Sequence, residues 1–412
     1  MKPLHLSRVR NVARSLAVRA LPFAAAGACA TQGGVEAEPL ERASDASVEI
    51  TAPSDAAPIE DPRPEAGSCS SAGLCTVRVP IDTRIHITSI SGSGPNDVWA
   101  VGTDRTILHY DGATWEKALG NEVDASPYTL RSVWVGGPDD VWVADGTTLR
   151  HSTGWKGPSD TEWSFASLKD DGFPTTIRGM GGTVAIARQL DTYWGDSALV
   201  VSGGWADGGI LNANHVSNLI PGANSYYMMP SGLWSLTMVR PDEVWATAVG
   251  AKNVGGSAAP PGAHVLRAYV RHHDGGSGSA QTAPWQFEDY ESSTSKNLYG
   301  VWVDERAVWL VGEGGTIRLL KRENLSKRIF EIVASPVVST LHGIHGFSPD
   351  DIWAVGDDAT VVHWDGDSWT RLVTPFDEAV TKPRLFAVWG SGPDDVWIGG
   401  NAVLLHFRGK GR

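Results

Sequence analysis

Near-identical stretches recur along this chain, and their spacing limits the folds open to it. Residues 92–115, GSGPNDVWAVGTDRTILHYDGATW, return at 346–369 as GFSPDDIWAVGDDATVVHWDGDSW, and a shorter copy, GSGPDDVWIGGNAVLLHF, occupies 390–407. The Trp of a Val/Ile-Trp pair falls at Trp99, Trp142, Trp245, Trp309, Trp353 and Trp397, at intervals of 43, 103, 64, 44 and 44 residues. The interval of 103 is wide enough to hide one more copy. Units of about 40–50 residues with short apolar runs, punctuated by Gly, Pro and Asp, are the signature of propeller blades of four strands.

Each unit reads as four strands, a to d from the axis outward. Strand a is an apolar run such as 385–389, followed by a turn of the kind at Gly392-Pro393-Asp394-Asp395, where Pro presets its backbone angle and Asp caps the bend. Strand b is Val-Trp-Ala-Val-Gly, strand c is Thr-Ile-Leu-His-Tyr, an Asp-Gly pair turns the chain, and strand d opens with Trp. The hidden copy is expected at 177–205, with 177–181 as strand a. A small residue then recurs in strand a at Ser89, Ser132, Gly179, Ser235, Gly300, Gly343 and Ala387, followed by an apolar one. Inner strands crowd around an axis, so small residues there have a packing reason. The expected fold is all-β: a seven-bladed propeller with blades starting near 87, 130, 176, 233, 298, 341 and 385. A six-blade alternative, with the third copy as a large insertion, stays open. The last unit stops after strand c, and Thr76-Val77-Arg78-Val79-Pro80 resembles strand d of the sixth unit from Thr370. The N-terminal segment is therefore expected to close the ring as the last blade's outer strand.

Residues 1–28 read as an export signal: Arg8, Arg10, Arg14 and Arg19 precede the short apolar stretch at 20–26, which is too short to span a membrane. Ala26-Gly27-Ala28 fits a small-x-small cleavage site, and with Cys29 it resembles the bacterial lipobox, which implies lipidation of Cys29. Residues 29–68, rich in Glu, Asp, Ala, Pro and Ser, read as a flexible acidic tether to a propeller at 69–412. Of the three cysteines, Cys69 and Cys75 then remain as an even pair, expected to be disulfide-bonded in an exported protein. The net charge of −13 argues against nucleic acid as a partner, because phosphate binding needs a basic face.

The blades resemble the repeats of a family of exported bacterial propeller proteins, several of them lipoproteins; the resemblance covers about 88–412 and implies the fold and little about activity. The turn Asp111-Gly112-Ala113-Thr114-Trp115 also resembles the Asp box of sialidase-type propellers, one residue short, which implies a turn-stabilising role. The arginine cluster that binds a sialic carboxylate has no counterpart here. WD-repeat and kelch propellers share the architecture without these motifs.

His109, His151, His272, His363 and His406 recur on strand c. Equivalent positions lie on different blades and point apart, so hydrogen bonds to a neighbouring Trp or Asp are expected rather than a metal site, and no cofactor is expected. The Asp pairs are turn caps by the same logic, and the Trp rows blade-to-blade packing. Function is sought where the repeat is broken. Insertions at 187–196, 206–232 and 250–263 all extend the face carrying the b–c and d–a loops, over blades three and four. Tyr193, Trp194, Asn212, Asn214, Tyr226 and Tyr227 are the candidate ligand contacts, a set that suits carbohydrate or protein recognition. The expectation is a non-catalytic cell-envelope binding protein, lipid-anchored or secreted, touching membrane only through Cys29. The alternatives are a glycan-acting hydrolase or lyase, with Asp191, Asp196 and His215 as its only grouped acid/base candidates, and a purely structural scaffold.

Overall fold

The structure, a computed structural model, describes residues 64–118, 128–145, 148–167, 172–190, 197–202, 205–206, 209–210, 214–216, 229–230, 233–248, 251–252, 263–270 and 285–409. All of them belong to one compact unit, Glu60–Arg412. Apart from two short 3-10 turns and four two-residue strands that form two small pairs, the described elements are antiparallel strands of four-stranded sheets.

The architecture is a propeller of four-stranded blades. Blade 1 runs Ile87–Gly94, Asp97–Gly102, Ile107–Tyr110 and Trp115–Lys117, each strand pairing with the next. Blades 2 to 6 repeat the pattern from inner strands Ser132–Gly137, Gly172–Met180, Leu233–Arg240, Leu298–Val303 and Leu341–Ser348. A further four-stranded sheet joins the two ends of the folded unit: Leu385–Gly392, Asp395–Gly400 and Val403–Arg408 take Leu74–Thr76 as outer strand. The described sheets are thus six continuous blades and one composite closing sheet, and the inner strands touch in sequence until Leu385–Gly392 meets Ile87–Gly94 again.

The recurrent Trp explains why neighbouring sheets adhere. Trp99 of blade 1 packs edge-on against Trp155 and Trp163 of blade 2, and Trp245 of blade 4 lies among Leu298 and Val301 of blade 5. Trp309 meets Trp364 and Trp369 of blade 6, Trp353 meets Phe407 of the closing sheet, and Trp397 meets Tyr110 and Trp115 of blade 1. Every such Trp is buried, so six of the seven interfaces between sheets hold a large apolar plug of high transfer value; between blades 3 and 4 Ala185 takes its place, among Leu233, Leu236 and Val244.

The strand c histidines have the structural partners their placement suggests. His109, His151, His363 and His406 place Nε2 2.9, 2.9, 2.7 and 2.6 Å from Asp97, Asp140, Asp351 and Asp395. Trp99, Trp142 and Trp353 donate Nε1–H to the first three of those aspartates. His272 lies outside the described residues. In blade 4 the trio is rebuilt as Glu243, Trp245 and Arg267. The shortened Asp box keeps its turn role: Asp111 accepts from the Ala113 and Thr114 amides, as Asp365 does from Asp367 and Ser368.

Two registers differ from the sequence reading. In blade 3 the small position is Thr176, three residues before Gly179. Thr175 is bulged out of the ladder as Thr88, Trp234, Tyr299, His342 and Phe386 are in their blades, which aligns Thr176 with Ser89. Thr176 Oγ1 donates to Trp234 O at 2.9 Å, reaching the next inner strand as the serines do. Ser89, Ser132 and Ser235 each accept an amide from the following inner strand, at Val133, Ile177 and Val301. Gly179 instead matches Gly92 and Gly346, where a side chain is excluded because an indole from another sheet (Trp134, Trp389 or Trp302) would stand within 2.7 Å of a Cβ. In the closing sheet, Cys75 rather than Thr76 stands opposite His406, as Thr370 stands opposite His363. Leu74, fully buried, takes the place of Trp369, so the expected pairing is one residue out of register and the strand begins two residues earlier. Cys75, in the middle of that strand, forms a disulfide with Cys69 before it.

Candidate functional site at the mouth of the axial channel

The bulges that set the register also build a site. A bulged residue leaves the ladder, and its side chain is re-aimed away from the sheet. In successive inner strands these residues are Thr88, Thr175, Trp234, Tyr299, His342 and Phe386, and Arg131 holds the same place before Ser132. All seven line one cavity of about 1030 Å³ on the propeller axis.

Four of them form a continuous aromatic arc. Ring centroids of Trp234 and Tyr299 lie 5.7 Å apart, those of Tyr299 and His342 5.4 Å, and those of His342 and Phe386 5.4 Å. His86 continues the arc, 6.4 Å from Phe386. The four rings from Trp234 to Phe386 are tilted or edge-to-face, His86 is stacked on Phe386, and Trp234 is 53 % exposed. Carboxylate and amide partners hold two members in place: His342 Nε2 lies 2.7 Å from Asp357 Oδ1, and His86 Nδ1 2.6 Å from Asn401 Oδ1. The rest of the rim is polar. Thr88 and Thr175 donate to Leu130 O and Leu233 O, and the Arg131 side chain is exposed.

This rim lies on the face of the b–c turns. The amides of Thr103, Glu313 and Asp357 bond to the carbonyls of His86, Asn297 and Thr340, which lead into their blades' inner strands. The expected recognition face is the same one. In blade 4 the ladder runs on outward beside Trp234, where Met229–Pro230 pairs with Ala251–Lys252.

Further along the channel, the lumen position two residues after the small one carries Ser91, Trp134, Arg178, Thr237, Trp302, His345 and Trp389, and among the described residues the cavity lining contains neither Asp nor Glu. Burial holds the Arg178 guanidinium down at about 10, still charged at neutral pH. Burial, and then the nearby Arg178 charge, push His345 down to about 4, so its imidazole is neutral there.

The residues chosen from sequence are distributed differently. Asn214 and His215 lie on the outermost strand of blade 3, paired with Val201 and Val200, three strands from the channel. Asp191, Tyr193, Trp194, Asp196, Asn212, Tyr226, Tyr227 and Cys29 lie outside the described residues. The aromatic arc was missed, although a signal existed: the residue before the small position reads Trp234, Tyr299, His342 and Phe386 in four successive units. Among the described residues no group of His, Cys, Asp or Glu is placed to hold a metal ion.

No family model matches the chain, and no curated protein matches it. Solved structures do. The structure of YCF48 bound to a D1 peptide is 19 % identical, with a TM-score of 0.54 over 82 % of this chain and 95 % of that one. YCF48 from Cyanidioschyzon merolae is 20 % identical, with a TM-score of 0.57 over 82 % and 100 %. The WD40 propeller domain of Doa1 is 13 % identical, with a TM-score of 0.53 over 80 % and 94 %. At these identities the likeness is one of fold, and the chain is similar to these proteins as a β-propeller.

Proposed function

We propose that the protein is a non-catalytic recognition protein that holds a segment of another polypeptide against the aromatic mouth of its axial channel. The observation that carries this reading is the arc Trp234–Tyr299–His342–Phe386, four aromatic rings in contact at one rim. Rigid aromatic faces offer large contact area at small entropic cost, and aromatic anchors dominate protein interfaces. A structural neighbour of the same architecture is described with a bound peptide, which favours a polypeptide over a glycan. Among the described residues the channel lining offers no pair of carboxylates of the glycosidase kind. The unbroken circuit of inner strands supports counting the closing sheet as a seventh blade. Export by 1–28, lipidation at Cys29 and display on the acidic tether remain parts of the proposal, and they make an envelope protein the natural partner.

The test is binding of the full chain to a peptide array and, in parallel, to a glycan array, beside the double variant Trp234→Ala/Tyr299→Ala. We expect selected peptides to bind, and the variant to lose at least tenfold in affinity while melting like the parent, since truncating hot-spot aromatics costs about 2 kcal/mol or more. Glycan binding that the variant loses would replace the polypeptide by a sugar. Undiminished peptide binding by a folded variant would remove the arc from the site.

A further inference from the structure

We propose that the axial channel is also a binding site for a small organic carboxylate with an aromatic or branched apolar body, with Arg178 as the group that pairs with the carboxylate. The inference concerns the interior of the channel and does not depend on the partner proposed for its mouth.

Arg178 is the observation that carries it. Arg178 is partly buried in the channel wall, and a guanidinium withdrawn from water normally has a carboxylate beside it, because an uncompensated charge in apolar surroundings is costly. Elsewhere in this protein the arginines of the interior meet either a carboxylate or, as Arg318 does with Ser292, Ile317 and Ser293, a full set of backbone carbonyls. Glu243 receives Arg240, Arg267 and Arg322, and Arg371 is paired with Asp377. Arg178 has no such partner among the described residues. Its Nη1 donates to the Ile177 carbonyl at 2.7 Å and lies 3.4 Å from Ser132 Oγ, which leaves the N–H groups of Nε and Nη2 uncommitted. Among the described residues the cavity it lines has no acidic side chain, in a protein whose net charge is −13. The channel is therefore an electropositive interior within an acidic molecule.

The walls specify the remainder of the ligand. Trp134, Met180, Met238, Trp302 and Trp389 line the cavity with Arg178, interspersed with Ser91, Ser132, Thr237 and His345, so a ligand with an apolar body finds aromatic walls between hydroxyl groups. Mouth and interior together measure about 1030 Å³, so the interior is a part of a cavity at the upper end of the range for small-molecule pockets. A planar guanidinium with two free N–H groups suits the two oxygens of a carboxylate, and such charge-assisted pairs are the strong ones in a dry site. Inorganic anions, strongly hydrated and without a body, would leave these walls wet.

The test uses the full chain and the probes 3-phenylpropionate and its neutral amide, 3-phenylpropionamide, followed by titration calorimetry and by the Nε–Hε signal of Arg178 in ¹⁵N-labelled protein. We expect the acid to bind at least tenfold more tightly than the amide and to shift the Arg178 signal. Arg178→Met should abolish the preference for acid over amide, and Arg178→Lys should keep part of it. If Arg178→Met does not fold, the shift in the parent protein and the Lys variant still decide the matter. Equal affinity for acid and amide, or no binding of either, overturns the proposal. So does binding of a peptide that ends in a free phenylalanine carboxylate without binding of the small acid, which would assign Arg178 to the polypeptide ligand instead. Loss of peptide binding in the mouth variant with retained acid binding separates the two sites.

Discussion

At the scale of single residues, Glu243 shows how a repeat position is rebuilt without losing its task. Where other blades place an Asp between a Trp and a His, blade 4 places a longer carboxylate between Trp245, Arg267 and Arg322. Arg322 comes from blade 5, so the carboxylate also ties neighbouring blades together. Burial alone would push the Glu243 carboxyl up; the hydrogen bonds from Arg322 and Arg267 outweigh it and hold it at about 2, against 4.5 for a free carboxyl. A folded-state value below the unfolded one contributes stability that is fully present above about pH 4.5 and drains away as the pH falls toward 2. Glu243→Gln takes the counter-charge from Arg322 and one of two from Arg240 and Arg267, which keep Asp242 and Glu288. It should cost about 3 kcal/mol at pH 7, the scale for removing one partner of a buried ion pair. It should also flatten the loss of stability between pH 4.5 and pH 2 relative to the parent. Urea titrations at pH 7, 4.5 and 3 measure both effects. An acid limb as steep in the variant as in the parent would mean that other carboxylates carry it.

At the scale of elements, the closing strand was legible as an element and misread in its register. Its sequence offers Thr76, Val77 and Val79 as an alternating run, which matches the outer strand of blade 6 when Thr76 is laid on Thr370. The structure lays Cys75 there, because Leu74 is the residue that fills the buried place of Trp369. Leu for Trp is not a match a motif reveals; it follows from packing against Trp353, Phe376 and Leu405. Blade 3 was misread for a related reason. Both Thr176 and Gly179 meet a size limit, but one is set by the next inner strand and the other by the Trp134 indole, and sequence shows only that both are small. The blade pattern itself was readable because the turn residues and the strand b Trp recur. The aromatic arc was hidden in plain view within those repeats, while attention to broken repeats led to loops outside the described residues. The disulfide at Cys69 and Cys75 fixes the start of the closing strand across a separation of six residues. In the chain-entropy account so short a loop stabilises by about 2 kcal/mol. The double variant Cys69→Ser/Cys75→Ser should lose about that much in urea, and a reducing agent should act on the parent alone; an unchanged midpoint would mean the hydrogen bonds around Thr76 suffice.

At the scale of the whole molecule, closure depends on a strand from the far end of the folded unit. An open circuit would expose the edge of Val403–Arg408, a six-residue strand whose backbone groups could pair with another chain. In the intact protein that edge is covered by Leu74–Thr76, and the covering strand is itself clasped by the residues before it. Thr76 Oγ1 donates to Glu65 O at 2.6 Å, and the Gly67 amide donates to Thr76 O at 2.8 Å. Leu74 is fully buried against the closing sheet, so its removal leaves a cavity as well as an edge. A chain lacking residues 1–79 should therefore lower its melting temperature by roughly 5 °C or more and form dimers or larger species through Val403–Arg408. Adding a synthetic peptide of residues 64–79 in trans should restore both the melting temperature and the monomer, because the groove it fills is otherwise complete. The same peptide with Leu74→Asp should do neither. Calorimetry and light scattering at matched concentrations distinguish these outcomes. A truncated chain that melts like the parent and stays monomeric would show that the circuit of inner strands holds the ring without its outer clasp.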